Sequence, residues 1–202
     1  MASGKEPMNV ALAPHGVSLQ DVAEEDLPRQ LAEVDPSAMR LAYARHHEVV
    51  RAFARRLVGD AAAAEDLVQE TFVALPGAVR RASPGEVRLR ALLLGICANH
   101  ARHHLRAAVR RRAVEQRLPH APDGEGMPGP EGLAARAQLR VLLQRAMDTL
   151  SYDHRVVLVL CDVEERTSTE VAAILQIPEA TVRTRLFKAR RNLRVAFGEE
   201  EP

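Results

Sequence analysis

Apolar residues recur at helical spacing from Pro36 onward. Leu41, Val49, Val50, Phe53, Leu57 and Val58 fall on one face of a helix. Gly59-Asp60 then breaks the pattern, because Gly supplies a left-handed stop and Asp the next cap. The following stretch, "AAAAEDLVQETFVAL", has an apolar face of Ala64, Leu67, Val68, Thr71, Phe72 and Leu75. Its other face carries Glu65, Asp66, Gln69 and Glu70. "PGAVRRASPGE" contains two Pro-Gly pairs and reads as mostly loop. A third helix is expected from about 87 to 118, beginning apolar in "LRALLLGICA" and ending basic in "RHHLRAAVRRR". No long stretch alternates apolar with polar as a strand would, so the fold class is all-α.

Pro119–Gly132, "PHAPDGEGMPGPEG", is rich in Pro, Gly and acid, the composition of a flexible linker. It divides the chain into two small helical domains, 37–118 and 133–197. Residues 1–36 carry four prolines without sustained periodicity and read as a mobile extension, with room for a short helix around Asp21–Val34. Residues 198–202 form an acidic tail. In the second domain "LAARAQLRVLLQRAMDTL" is amphipathic, and "SYDHRVVLVLCDVEE" opens with a turn and continues as a helix.

The stretch "TSTEVAAILQIPEATVRTRLFKARRNLRVAF" has the outline of a helix-turn-helix. Thr167–Glu170 fits a capping box. Ile177-Pro178 ends the short helix, and Glu179 and Thr181 open a longer one. Val182, Leu186, Ala189 and Leu193 share the inward face of that helix. Arg183, Thr184, Phe187, Lys188 and Arg191 share the outward face. Amphipathicity alone fits a solvated basic face as well as a DNA surface. The capped helix and proline turn ahead of it favour DNA.

A formal net charge of +1 does not exclude nucleic acid, because the charges are segregated. Residues 80–117 hold ten arginines against two glutamates, and 183–194 hold a second basic block without acids. Acids collect at Glu24–Asp26, Glu65, Asp66, Glu70, Glu164, Glu165 and Glu199–Glu201. Aromatics are 3% with no Trp, so the cores are built from Ala, Leu and Val. Cys97 and Cys161 are far apart and match no disulfide framework. No signal-peptide core or bilayer-length apolar run occurs, and the expected place is the cytoplasm, with no direct membrane insertion.

The segment 150–197 resembles region 4 of bacterial σ70-family factors, particularly the extracytoplasmic-function (ECF) group. "RAFARRLVGDAAAAEDLVQETFVAL" resembles region 2 of the same group, and "LLLGICANHARHHLRAAVRRR" its continuation. Two motifs in the right order, with a linker between them, are a specific signal. The resemblance implies a transcription initiation factor, not an enzyme and with no cofactor. It would bind core RNA polymerase and direct it to specific promoter DNA. It implies that Glu65, Asp66, Gln69 and Glu70 dock on the β′ clamp helices. It implies minus-ten contacts from the loop at Ser83 and from Arg88, Arg90, Asn99, Arg102 and Arg106. Asn99 would read a base edge, and the arginines would hold phosphates. It implies minus-thirty-five reading by Arg183, Thr184, Phe187 and Lys188, with Thr181 and Arg191 on phosphate. By the same analogy an anti-sigma factor masks one or both regions.

Two departures from the family stand out. Leu92 occupies a place where relatives carry an aromatic, and no aromatic lies between Val73 and Leu118, so base stacking during strand capture is not visible. Gln176 stands where relatives carry Gly in the turn. Two rival readings compete with this one. A stand-alone helix-turn-helix regulator explains residues 170–193 but not the acidic helix or the second basic module. A metal site built on Cys97, His100 and His104 has suitable ligand types, against a buried Cys and histidines on a basic face.

Overall fold

The computed structural model describes residues 26–82, 88–115 and 142–197. All regular structure among them is helical. The linker, most of the N-terminal extension and Ser83 lie outside the described residues. No described helix is long and apolar enough to cross a membrane.

The first module contains α1 (Leu27–Ala32), α2 (Pro36–Val58), α3 (Ala61–Arg81) and α4 (Leu89–Glu115). Asp35 caps α2 by accepting from the backbone N–H groups of Ser37 and Ala38, both at 2.9 Å. Gly59 ends α2 at φ 77°, a left-handed conformation that costs Gly little. Asp60 then caps α3 by accepting from the Ala63 N–H at 2.7 Å. The expected stop and restart at Gly59-Asp60 is therefore present.

Two expectations need correction. α1 is the short helix that the sequence leaves room for around Asp21–Val34, but the extension is not mobile up to residue 36, because α1 buries Leu27 and Leu31 in the core. Arg80 of α3 also donates to the Ala32 carbonyl at 2.8 Å, closing the end of α1. Burying two leucines is worth roughly 1.5–3 kcal/mol each, which offsets the ordering of so short a helix. The second correction concerns "PGAVRR", which is helix rather than loop: α3 continues through Pro76 to Arg81. Leu75, Pro76, Ala78 and Val79 are all buried there. Tertiary packing thus outweighs a helix-interior proline penalty of about 3 kcal/mol.

The second module contains α5 (142–148), α6 (Tyr152–Leu158), α7 (Ser168–Leu175) and α8 (Glu179–Ala196). α6 widens into a π-helical turn, Val159–Val163, where the Glu164 N–H donates to the Val159 carbonyl at 2.9 Å. One buried cluster joins the modules. It includes Phe53, Leu67 and Leu94 from the first and Val156, Leu160 and Val182 from the second. The two-domain reading drawn from the linker therefore describes the covalent organisation, while the core itself is continuous.

Candidate nucleic-acid interface

The helix-turn-helix is built as its sequence dictates. Thr167 and Glu170 form a reciprocal capping box at the start of α7. The Thr167 N–H and then its hydroxyl hold the Glu170 carboxyl below its ordinary pKa. α7 ends at Gln176 in the left-handed region, φ 53°, a conformation that favours Gly. Pro178 is the N-cap of α8. Val182 and Ala189 are fully buried, and Leu186 and Leu193 pack against the core. Arg183, Thr184, Phe187, Lys188 and Arg191 are exposed, and Thr181 is half-buried.

Phe187 is the telling member of this face. It is a large apolar ring at 60% exposure, flanked by basic side chains. Two other members are engaged within the helix. Arg183 pairs with Glu179, and the Thr184 hydroxyl donates to the Ala180 carbonyl at 2.9 Å. Both bonds are local and exposed, so they can exchange for DNA partners at small cost. Arg190 takes no part in the face: it grips Asp162 through two bonds, at 2.6 and 3.0 Å.

On α3, Glu65, Asp66, Gln69 and Glu70 are all exposed, opposite the buried Ala64, Leu67 and Val68. Val73 extends this polar face with an apolar side chain at 81% exposure. Glu65 meets Arg51 at 3.5 Å and Glu70 meets His100 at 3.0 Å. Hydrophobic periodicity had assigned Val73 no role, because it lies off the apolar stripe.

α4 presents Asn99 and Arg106 to solvent. Arg88, Arg90 and Arg102 follow a course that the sequence did not reveal. Arg90 donates to Glu164 at 2.8 Å, Arg102 to Asp153 at 2.6 Å, and Arg88 lies 3.6 Å from Glu170. All three acids belong to the second module. Tyr152 also reaches α4. Its hydroxyl donates to the Ala98 carbonyl, and the Arg102 guanidinium lies 5.5 Å from its ring centroid. Tyr152, over fifty positions away in the sequence, thus places an aromatic ring against α4 at Ala98. Between the modules runs a cleft of roughly 1200 Å³, with Arg45, His46, Arg81, Asn99 and Arg166 on its walls.

The proposed ligand trio does not assemble. Cys97 is fully buried, its thiol pushed up to about 12 by burial against the partial relief of a Thr71 hydrogen bond. His100 faces Glu70 instead. Among the described residues no group of three or more His, Cys, Asp or Glu side chains could hold a metal ion.

Comparison with known proteins follows the same division. The Sigma-70 region 2 family model matches residues 42–111, and the Sigma-70, region 4 model matches residues 140–193. The chain is 33% identical over 159 residues to the RNA polymerase sigma factor CarQ of Myxococcus xanthus, covering 79% of this chain and 88% of CarQ. It is 32% identical over 178 residues to the ECF RNA polymerase sigma factor SigL of Mycobacterium tuberculosis, covering 83% and 93%. It is 32% identical over 152 residues to the ECF factor SigE of Mycolicibacterium smegmatis, covering 74% of this chain but only 58% of that protein. Two solved structures share the fold. One is CnrH in complex with the cytosolic domain of CnrY, with TM-score 0.62 and 24% identity over 88% of this chain and 99% of that one. The other is the sigma factor RpoE with the anti-sigma factor NepR from Bartonella quintana, with TM-score 0.61 and 22% identity over 80% and 98%. With both modules matched, a stand-alone helix-turn-helix regulator is not favoured.

Proposed function

This chain belongs to the ECF group of σ70-family sigma factors, non-enzymatic initiation factors that direct RNA polymerase to promoters; on that premise we propose how its surfaces divide the work. The exposed face of α3, from Glu65 through Asp66, Gln69 and Glu70, docks on core polymerase. Its acids meet basic side chains of the β′ clamp helices. Asn99 reads an unstacked base of the minus-ten element with its paired donor and acceptor. Ser83, Arg88, Arg90, Arg102 and Arg106 line the path of that strand, the arginines on phosphates.

α8 enters the major groove of the minus-thirty-five element. Arg183 and Lys188 meet base edges, Phe187 meets a thymine methyl, and Thr184 supplies a hydroxyl. Thr181 and Arg191 hold the backbone. The observation that carries this reading is Phe187, an exposed ring among cations on a helix whose opposite face buries Val182 and Ala189. Linker 119–132 tethers the two readers, which raises the effective concentration of the second once the first is bound.

An anti-sigma factor is a further proposed partner. Of the solved structures that share the fold, the sigma factor RpoE is bound to the anti-sigma factor NepR, and CnrH to the cytosolic domain of CnrY. In this chain the basic cleft between the modules suits an acidic segment of such a protein. The setting for all of this is the cytoplasm, where core polymerase works.

The decisive experiment is transcription in vitro from the promoter upstream of this factor's own operon, with core polymerase and with or without the protein. Initiation is expected only when the protein is present. Tight DNA binding without any initiation would sink the reading.

A further inference from the structure

Beside the reading face of α8 lies a shallow hollow of about 410 Å³, shared with the first turn of α6. His154 forms its α6 wall. Thr181, Thr184, Arg185 and Lys188 form its α8 wall. Successive residues of a helix turn by about 100°. Thr181 and Arg185 therefore fall on the flank of α8, between the outward Thr184 and Lys188 and the buried Val182 and Ala189. His154 stands outside that flank.

The donors around this hollow are under-used. Arg185 pairs through Nη2 with Asp153 at 3.1 Å, whereas its Nη1 is buried without a hydrogen-bond partner. An unmade bond on a charged group is costly, and a phosphate oxygen is an acceptor that would complete it. Among the described residues no ion pair involves His154 or Lys188. Asp153, the neighbour of His154 in the chain, is balanced by Arg185 and by Arg102 at 2.6 Å.

A helix with its side chains is about 10–12 Å across, and the major groove is about 12 Å wide. A helix seated there turns its outward face to the bases and brings its flanks against the sugar-phosphate walls. The hollow lies on one such flank. We propose that His154 and Arg185 join Thr181 in a pocket for one backbone phosphate at the edge of the minus-thirty-five element, so that α6 as well as α8 grips the DNA. The imidazole and the guanidinium donate to the phosphate oxygens, and Asp153 holds Arg185 in place. The contact fixes register and orientation and carries no sequence information of its own. The inference rests on the reading that α8 enters the major groove.

The test uses core polymerase carrying the full-length protein and a fluorescein-labelled duplex of the promoter upstream of this factor's own operon. In a series of duplexes, each phosphate around the minus-thirty-five element is replaced in turn by an uncharged methylphosphonate. His154→Ala is expected to bind the unmodified duplex roughly three- to tenfold more weakly, the worth of about one hydrogen bond. It should lose nothing further at one phosphate where wild type is sensitive, as expected of two groups that act as a pair. Arg185→Met should be blind to the same phosphate, with the slope of log affinity against log salt shallower by about 0.9. Circular dichroism melts and pull-down of core polymerase check that the variants fold and dock. If Arg185→Met does not fold, His154→Ala decides the matter by itself. A folded His154→Ala variant with wild-type affinity, or with the phosphate sensitivities of wild type, overturns the proposal. Phe187→Ala reads the premise separately. It should weaken recognition of the element while keeping the sensitivity of that phosphate. Unchanged recognition in Phe187→Ala would overturn the placement of α8, whatever the phosphate series shows.

Discussion

Arg155 of α6 donates through Nη1 to the backbone carbonyl of Leu57 at 2.7 Å, closing the last turn of α2 in the other module. That carbonyl is among those a helix end leaves without an intrahelical partner, and a cation there also complements the helix dipole. Arg155 is 8% exposed, and its Nη2 reaches Asp148 at 3.2 Å. Replacing it with Met keeps the length of the side chain but deletes the donors. Arg155→Met is expected to lower stability by roughly 1.5–3 kcal/mol, measured by urea unfolding. A midpoint equal to wild type would show that the bond contributes nothing net.

Left-handed backbone at two of the three described non-glycine residues that adopt it gives a prediction of opposite sign. Val34 sits at φ 63° and Gln176 at φ 53°. Around Val34 the Asp35 N–H donates to the Gln30 carbonyl at 2.9 Å and the Val34 N–H to Leu31 at 3.1 Å, a helix stop that usually holds Gly. Val34→Gly and Gln176→Gly should each stabilise the protein by about 1 kcal/mol. The gain should be larger for the β-branched Val. Thermal melts of both variants provide the check, and a fall in either melting temperature counts against the strain.

Recognition by α8 should be separable from polymerase binding. Arg183→Ala and Lys188→Ala are each expected to weaken recognition of the cognate promoter by roughly 1–3 kcal/mol, the cost of a lost base contact, and to reduce initiation accordingly. Pull-down of core polymerase should be unchanged. Stability should scarcely move, because the Arg183–Glu179 pair is exposed. Loss of core binding in both would show that the modules have been assigned the wrong way round.

His46 supplies a pH dependence. Burial first, and then the nearby charges of Arg45 and Arg90, hold its pKa below the ordinary 6.5. The folded state thus binds this proton less readily than the unfolded chain does. As pH falls below 6.5 the unfolded state takes up the proton first, so stability is lost. The contribution is fully present above that pH. Melts between about pH 7 and pH 5 should show a falling midpoint, and His46→Gln should flatten the slope in that window. An unchanged slope in the variant would assign the effect to other groups.

Much of the local structure was legible in the residues. Gly59-Asp60, the Thr167–Glu170 box and the inward positions Val182 and Ala189 all read correctly, because caps and amphipathic faces are set by neighbours a few residues apart. "PGAVRR" was misread because a Pro-Gly pair signals a turn only where nothing else is at stake. Burial of Leu75, Pro76, Ala78 and Val79 is a long-range effect that no local rule contains. The short helix around Asp21–Val34 is legible, but the docking of its Leu27 and Leu31 is not, since six residues show too little periodicity to separate a docked helix from an extension.

The sequence by itself determined an all-α chain with two linked modules, a basic recognition helix, an acidic exposed face on α3, and the motifs that identify the family. Those features depend on spacing and side-chain type along single helices. Only the tertiary structure decided where Asp153, Glu164 and Glu170 sit, that Tyr152 joins α4 beside Asn99, and that one core spans both modules. The physical reason is reach. A carboxylate and a guanidinium separated by fifty to eighty residues meet only when helix packing brings their backbones together, and one-dimensional spacing carries no record of that approach.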